Sequence, residues 1–221
     1  MEILKRVIVA ITGASCVVYG IRLLEILRGI EIESHLILSE GAKKNIIIET
    51  DYSIEDVKKL ADHVHSDENL GAPVSSGSFK TDGMVIIPCT IKTLSGVANS
   101  YNDNLIVRAA DVTLKEARRL ILVVRETPLH KGHLKLMHQV ADLGGIILPP
   151  VPAFYIRPKR IEDLIDHTLG KVFDLLGIEN SLYARWKGNA EQTGSLGNPL
   201  RDRGVGKPLQ IANFTPVSDY R

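Results

Sequence analysis

The sequence predicts an α/β fold built on a doubly wound parallel sheet, and three observations carry that expectation. Short apolar, β-branched runs alternate with segments of helical period. The strand-like runs are each followed by a small or polar turn and then a helix. The length, 221 residues, suits one domain with a two-sided core. In chain order, residues 6–11 read as the first strand, and the turn Thr12-Gly13-Ala14-Ser15 opens a helix over 15–28. That helix puts Ile21, Leu24, Leu27 and Ile30 on one face. Strand 33–38 mixes polar and apolar positions and is expected nearer an edge. Helices follow over 40–48 and 54–63, then a small polar loop over 70–79. Strand 83–88 leads into helices 90–100 and 104–116, and strand 120–124 into helix 132–143. Strand 145–148, a Pro-rich loop over 149–155 and helix 161–176 complete the pattern.

Composition narrows the function classes. The formal net charge is +1 and 44% of residues are hydrophobic, so no charge bias points to nucleic acid or a membrane surface. No run of about 18 apolar residues occurs to span a bilayer. The first strand begins too early to leave room for a signal peptide. Cys16 and Cys89 form no C-x-x-C or disulfide-rich pattern, which fits a reducing cytoplasm. Beyond Trp186 the chain is rich in Gly, Asn, Pro and charge without a period. Residues 1–187 are therefore expected to form the domain, and 188–221 an extension lying against a neighbouring subunit.

In a doubly wound sheet, ligands bind beyond the carboxyl ends of the strands. That rule gathers residues 12–15, Ser39, residues 89–93, Arg125 and Glu126 on one rim. The first turn matches neither G-x-G-x-x-G nor G-x-x-x-x-G-K-[ST]. Its small residues leave backbone N–H groups at a helix N-terminus, suited to a phosphate-bearing ligand such as a mononucleotide. Arg108 and Lys115 share one helix face, Arg125 and Glu126 follow a strand, Tyr155 sits in the Pro-rich loop, and Lys171 lies on the last helix. Together they can hold a phosphate dianion without a metal, although Arg108 and Lys115 also read as a solvated helix face. No metal site is expected: there is no D-D-x-x-D run, and the spacings of His63, His65, His130, His133 and His138 match no H-E-x-x-H or Cys/His set. Ser15 lacks a G-x-S-x-G elbow and is better suited to a hydrogen bond than to nucleophilic attack. Cys16 is either a low-pKa thiol at a helix N-terminus or a buried reduced thiol. Glu49 is either an inward-pointing carboxylate able to exchange protons or a plain helix-end acid.

These segments resemble the UbiX-like flavin prenyltransferase family, including its phenylacrylic and hydroxybenzoate decarboxylase-associated members. The resemblance rests on Thr12-Gly13-Ala14-Ser15 with Tyr19-Gly20, Glu49-Thr50-Asp51, and Ser75-Ser76-Gly77-Ser78-Phe79. It continues through Pro88-Cys89-Thr90-Ile91-Lys92-Thr93, Arg108-Ala109-Ala110-Asp111, Leu114-Lys115-Glu116, Arg125-Glu126-Thr127-Pro128 and Ala184-Arg185-Trp186. It implies a flavodoxin-like or Rossmann-like three-layer sandwich, assembled as a homododecamer with FMN between subunits. The implied reaction joins the dimethylallyl group of dimethylallyl phosphate to N5 and C6 of reduced FMN. The product, prenylated FMN, serves UbiD-type decarboxylases in ubiquinone biosynthesis or aromatic acid decarboxylation. By position, Gly13, Ala14, Ser15, Ser39, Thr90, Ile91, Lys92, Thr93 and Arg125 would contact FMN. Arg108, Lys115, Arg125, Glu126, Tyr155 and Lys171 would surround the allylic phosphate, and Ser15, Glu49 and Glu126 would be catalytic.

The chain departs from that pattern at Cys16, where the family usually has glycine, and at Lys171, often arginine. Thr90 replaces a common serine, and Leu70 falls where some members carry an aromatic residue. An FMN-dependent decarboxylase of the related flavoprotein group and a non-catalytic flavin carrier are the alternative expectations.

Overall fold

The computed structural model describes residues 6–186. Six strands form one all-parallel sheet in the order β3-β2-β1-β4-β5-β6. They are β1 (Arg6–Ile11), β2 (Glu33–Leu38), β3 (His63–Ser66), β4 (Gly83–Cys89), β5 (Arg119–Val124) and β6 (Ile146–Ile147). The helices are α1 (Val17–Gly29), α2 (Glu40–Glu49), α3 (Ile54–Lys58), α4 (Ile91–Ala98), α5 (Leu105–Lys115), α6 (Lys131–Asp142) and α7 (Ile161–Leu176). This is the doubly wound three-layer arrangement, and the strand order reverses between β1 and β4. No helix among the described residues is long and apolar enough to cross a membrane. The expected arm over 188–221 lies outside the described residues.

Alternation along the central strands builds two cores. Val7, Val9, Ile11, Val85, Ile87, Ile121 and Val123 pack with α1 and α7, whereas Ile8, Ala10, Met84, Ile86, Leu120, Leu122 and Val124 pack with α4 and α5. Both faces of β4 are buried along its whole length. The near-continuous apolar reading of β1 and β4 is thus that of strands covered on both sides. On α1, Ile21, Leu24 and Leu27 are fully buried, each contributing about 2 kcal/mol of apolar transfer. Ile30, expected on the same face, instead ends the helix and is 46% exposed.

Two sequence expectations need correction. The helix expected over 54–63 stops at Lys58, and His63-Val64-His65-Ser66 is a strand at the sheet edge. Strand β2, expected nearer an edge, lies one place inside it. The first helix begins at Val17 and not at Ser15, because Cys16 adopts a left-handed backbone at φ 81°. A side chain there costs about 1–2 kcal/mol relative to an unstrained residue, which is the physical reason glycine suits this position.

Candidate active site

The carboxyl ends of β1, β2 and β4 bring three helix N-termini to the point where the strand order reverses. Thr12 ties the two central strands: its hydroxyl donates to the Pro88 carbonyl at 2.7 Å and accepts the Thr90 amide at 2.9 Å. The Ser39 amide donates to the Ile11 carbonyl at 3.1 Å, so the end of β2 is fixed to the end of β1. Backbones approach closely here. A Cβ on Gly13 would lie 2.8 Å from Gly41 Cα, so the first turn and the start of α2 touch only because both residues are glycine.

The three helix ends differ in what fills them. At α1, the Glu49 carboxylate accepts the Cys16 amide at 2.8 Å and the Val17 amide at 3.2 Å. A negative charge is stabilised there by the helix dipole. This narrows the sequence reading of the first turn, because those two donors already hold a carboxylate. Glu49 does point inward, from the last residue of α2. Asn45, one turn earlier on the same helix face, donates to the Gly13 carbonyl at 3.1 Å. That i, i+4 pair aimed at the turn is a signal the sequence carried and the reading missed.

The ends of α2 and α4 are capped but remain open to an anion. The Ser39 hydroxyl accepts the Ala42 amide and the Thr90 hydroxyl accepts the Thr93 amide, both at 3.1 Å. In each helix the first two N–H groups have no intrahelical partner. The Thr90 hydroxyl also donates to Thr93 Oγ1 at 3.0 Å, so buried Thr93 stands behind Thr90 rather than on the surface. No acidic residue lies in the first turn of α4, and Lys92 does. Among the described residues, the Gly13, Ala14 and Ser15 amides make no hydrogen bond. Open donors, a glycine-thin wall and a cationic helix end suit a phosphorylated planar cofactor.

Arg125 stands at the end of β5, its amide bonded to the Cys89 carbonyl at 3.1 Å. Burial pushes the Cys16 thiol up, and the neighbouring Arg125 cation and a Ser15 hydrogen bond only partly oppose it. That direction runs against the low-pKa alternative, and the thiol is half-buried rather than buried. Glu126 is exposed and accepts the Thr127 amide at 2.9 Å.

The remaining candidates fall into two separate groups within one chain, Arg108 with Lys115 and Tyr155 with Lys171. Arg108 and Lys115 lie on α5, which packs against one face of the sheet; Lys171 lies on α7, which packs against the other. Arg108 donates from Nε to the Ser75 carbonyl at 3.2 Å and pairs with Asp111 at 3.4 Å. Lys115 ends α5 just before β5 begins, at the amino end of the sheet, and pairs with Glu116. Tyr155 shares a 2.8 Å hydrogen bond with His167 Nε2. Burial lowers the His167 pKa, and Lys171 lowers it further. Lys171 sits 4.9 Å from the Tyr183 ring centroid. Its pKa is raised by a hydrogen bond with Tyr183, against a smaller effect of burial. Neither His167 nor Tyr183 was singled out from sequence, since only the fold of the loop back onto α7 brings them to Tyr155 and Lys171.

The Flavoprotein family model matches residues 2–175. The flavin prenyltransferase UbiX of Thauera aromatica is 53% identical over 187 residues, covering 85% of this chain and 96% of the relative. A solved UbiX structure in complex with FMN and dimethylallyl pyrophosphate superposes with a TM-score of 0.82 at 48% identity, covering 83% of this chain and 98% of the other. A dodecameric FMN-dependent UbiX-like decarboxylase from Escherichia coli O157:H7 superposes with a TM-score of 0.81 at 45% identity, covering 83% and 100%.

Proposed function

Because the chain belongs to the Flavoprotein family, and within it to the UbiX flavin prenyltransferases, we propose that it transfers the dimethylallyl group of dimethylallyl phosphate to N5 and C6 of reduced FMN. The observation that carries this reading is the pairing of an open, glycine-lined rim with a half-buried carboxylate held against its first turn. Reduced FMN, once bound, supplies the electron-rich ring atoms that take up the dimethylallyl carbon.

Gly13, Ala14, Ser15, Ser39, Thr90, Ile91, Lys92 and Arg125 bind FMN, with Thr93 holding Thr90 in place. The flavin phosphate goes to the open ends of α2 and α4, because Glu49 repels a dianion from the end of α1. Glu49 holds the Cys16 amide, next in sequence to Ser15, and at that turn Glu49 takes or returns a proton and Ser15 passes it on. Breaking the allylic C–O bond places negative charge on the leaving phosphate, and preorganised cations stabilise it. Arg108, Lys115, Arg125 and Lys171 supply those cations, while Glu126 and Tyr155 line the same phosphate. Lys171 gives a point charge rather than a planar fork.

Since α5 and α7 flank opposite sheet faces, one protomer cannot close this clamp. Neighbouring copies complete it, which agrees with a dodecamer and with FMN held between subunits. A cytoplasmic enzyme supplying prenylated FMN to a UbiD-type decarboxylase fits two free thiols and a soluble flavin substrate. The clamp residues have no evident task in a decarboxylase or a flavin carrier, so neither alternative is favoured.

The test is anaerobic incubation with reduced FMN and dimethylallyl phosphate, followed by mass spectrometry of the released flavin. The expected mass gain is one dimethylallyl unit. Unchanged FMN recovered from flavin-loaded protein would overturn the proposal.

A further inference from the structure

A second cluster lies at the sheet edge, away from the carboxyl-end rim. Strands β2 and β3 pair in parallel with His35 level with His63. Alternation puts Glu33 and His35 of β2 on one sheet face, and brings His63 and His65 of β3 beside them. Glu33 Oε1 lies 2.8 Å from His35 Nε2 and 3.6 Å from His63 Nε2. One ligand atom from each of these three residues lies within 4.8 Å of the other two. His35 Nδ1 is 2.9 Å from His65 Nε2.

We propose that Glu33, His35 and His63 form a site for a divalent transition-metal ion of the zinc class, with His65 orienting His35 from behind. Nitrogen and carboxylate donors in a three-ligand set are the chemistry of four-coordinate zinc, a water taking the fourth place. An ion about 2.1 Å from each ligand needs donor atoms roughly 3.4 Å apart, which the observed separations approach with small side-chain rotations. Arg6 grips the Glu33 carboxylate from Nε to Oε1 at 2.7 Å and from Nη2 to Oε2 at 2.9 Å. Metal binding shares Oε1 and leaves the Oε2 bond to hold the carboxylate in register. His35 is 4% exposed and His63 55%, so the site is anchored on its inner side and open on its outer side.

Tautomers balance without loss of a proton. Before binding, His35 Nε2–H donates to Glu33 and His35 Nδ1 accepts from His65 Nε2–H. With metal on His35 Nε2, that ring carries its proton on Nδ1 and donates it to His65 Nε2, whose own proton moves to its Nδ1. A hydrogen bond from the far nitrogen is what second-shell partners of metal-bound histidine usually provide. The consequence is mechanical: the ion staples the short edge strand β3 to β2.

The probe is Co2+ alone, added to the tag-free full chain, with visible absorption and calorimetry as readouts. One equivalent is expected to bind with the strong visible bands of a tetrahedral centre, and to raise Tm. His63→Ala, at an exposed position whose ring stacks on His35, should abolish both effects while leaving FMN binding unchanged. His65→Ala should weaken binding about tenfold or more. His133→Ala is the control, because His130 and His133 stack with ring centroids 3.6 Å apart on α6 and its cap. No stoichiometric binding, binding unchanged in His63→Ala, or binding lost only in His133→Ala would each overturn the proposal.

Discussion

At the carboxyl ends of β1, β2 and β4 the chain leaves backbone donors facing outward, whereas toward the amino ends of β2, β3 and α7's final turns it pairs polar side chains with one another. The first end is built from Gly13, Ala14, Ser15, Ser39 and Thr90, short residues around helix N-termini. The second is built from long charged and aromatic groups. Arg6 grips Glu33, and Asp174 accepts from Asn180, Tyr183 and Arg185 at 2.9, 2.6 and 2.6 Å. One sheet therefore carries an end whose backbone donors face outward and an end whose polar side chains pair with one another. Glu49 is the exception that joins the two styles, a self-supplied anion placed inside the open end.

That exception gives the largest expected effect. Glu49→Gln keeps a side-chain acceptor for the α1 amides but removes the exchangeable proton, so turnover should fall about 100-fold. FMN affinity should stay within a few-fold, as flavin titration would show. Equal losses in both would mean that Glu49 merely braces the turn.

The Asp174 cluster should respond to acid. Although burial alone would raise it, the Asp174 carboxyl is held below its ordinary value of 3.8 by Arg185, Tyr183 and Asn180. A depressed folded pKa contributes stability that is present above the ordinary value and lost as pH falls through the folded one. Tm of the wild type should therefore drop more steeply than that of Asp174→Asn below about pH 4. Parallel curves would contradict the pairing.

The smallest effect lies in the backbone of the open end. Cys16→Gly removes a left-handed side chain and should raise stability by roughly 0.5–1 kcal/mol, after glycine's own entropy cost. Chemical denaturation measures it; a loss of stability would show that the Cys16 thiol packs better than its backbone strains.

The same contrast explains what was legible. The bounds of β1 and β2 follow from apolar, β-branched runs, and the rim follows from where those runs stop. Strand β3 was hidden because an exposed four-residue edge strand reading His-Val-His-Ser has no buried alternation to display. The metal-ligand spacing was hidden with it, since His35 meets His63 only through strand pairing. Spacing correctly put Arg108 and Lys115 on one helix face, yet no periodicity states which side of the sheet that helix covers. The separation of Arg108 and Lys115 from Lys171 is a property of topology, visible only when α5 and α7 are seen on opposite faces.

The central claim is that two faces of different copies close one phosphate site. Lys115→Ala and Lys171→Ala should each lose turnover with dimethylallyl phosphate while retaining FMN. Co-expressed in equal amounts, they should form mixed assemblies that recover about a quarter of wild-type activity, the random fraction of sites holding both lysines. Mixed assemblies as inactive as either variant alone would place both lysines in the same chain's site and contradict the account.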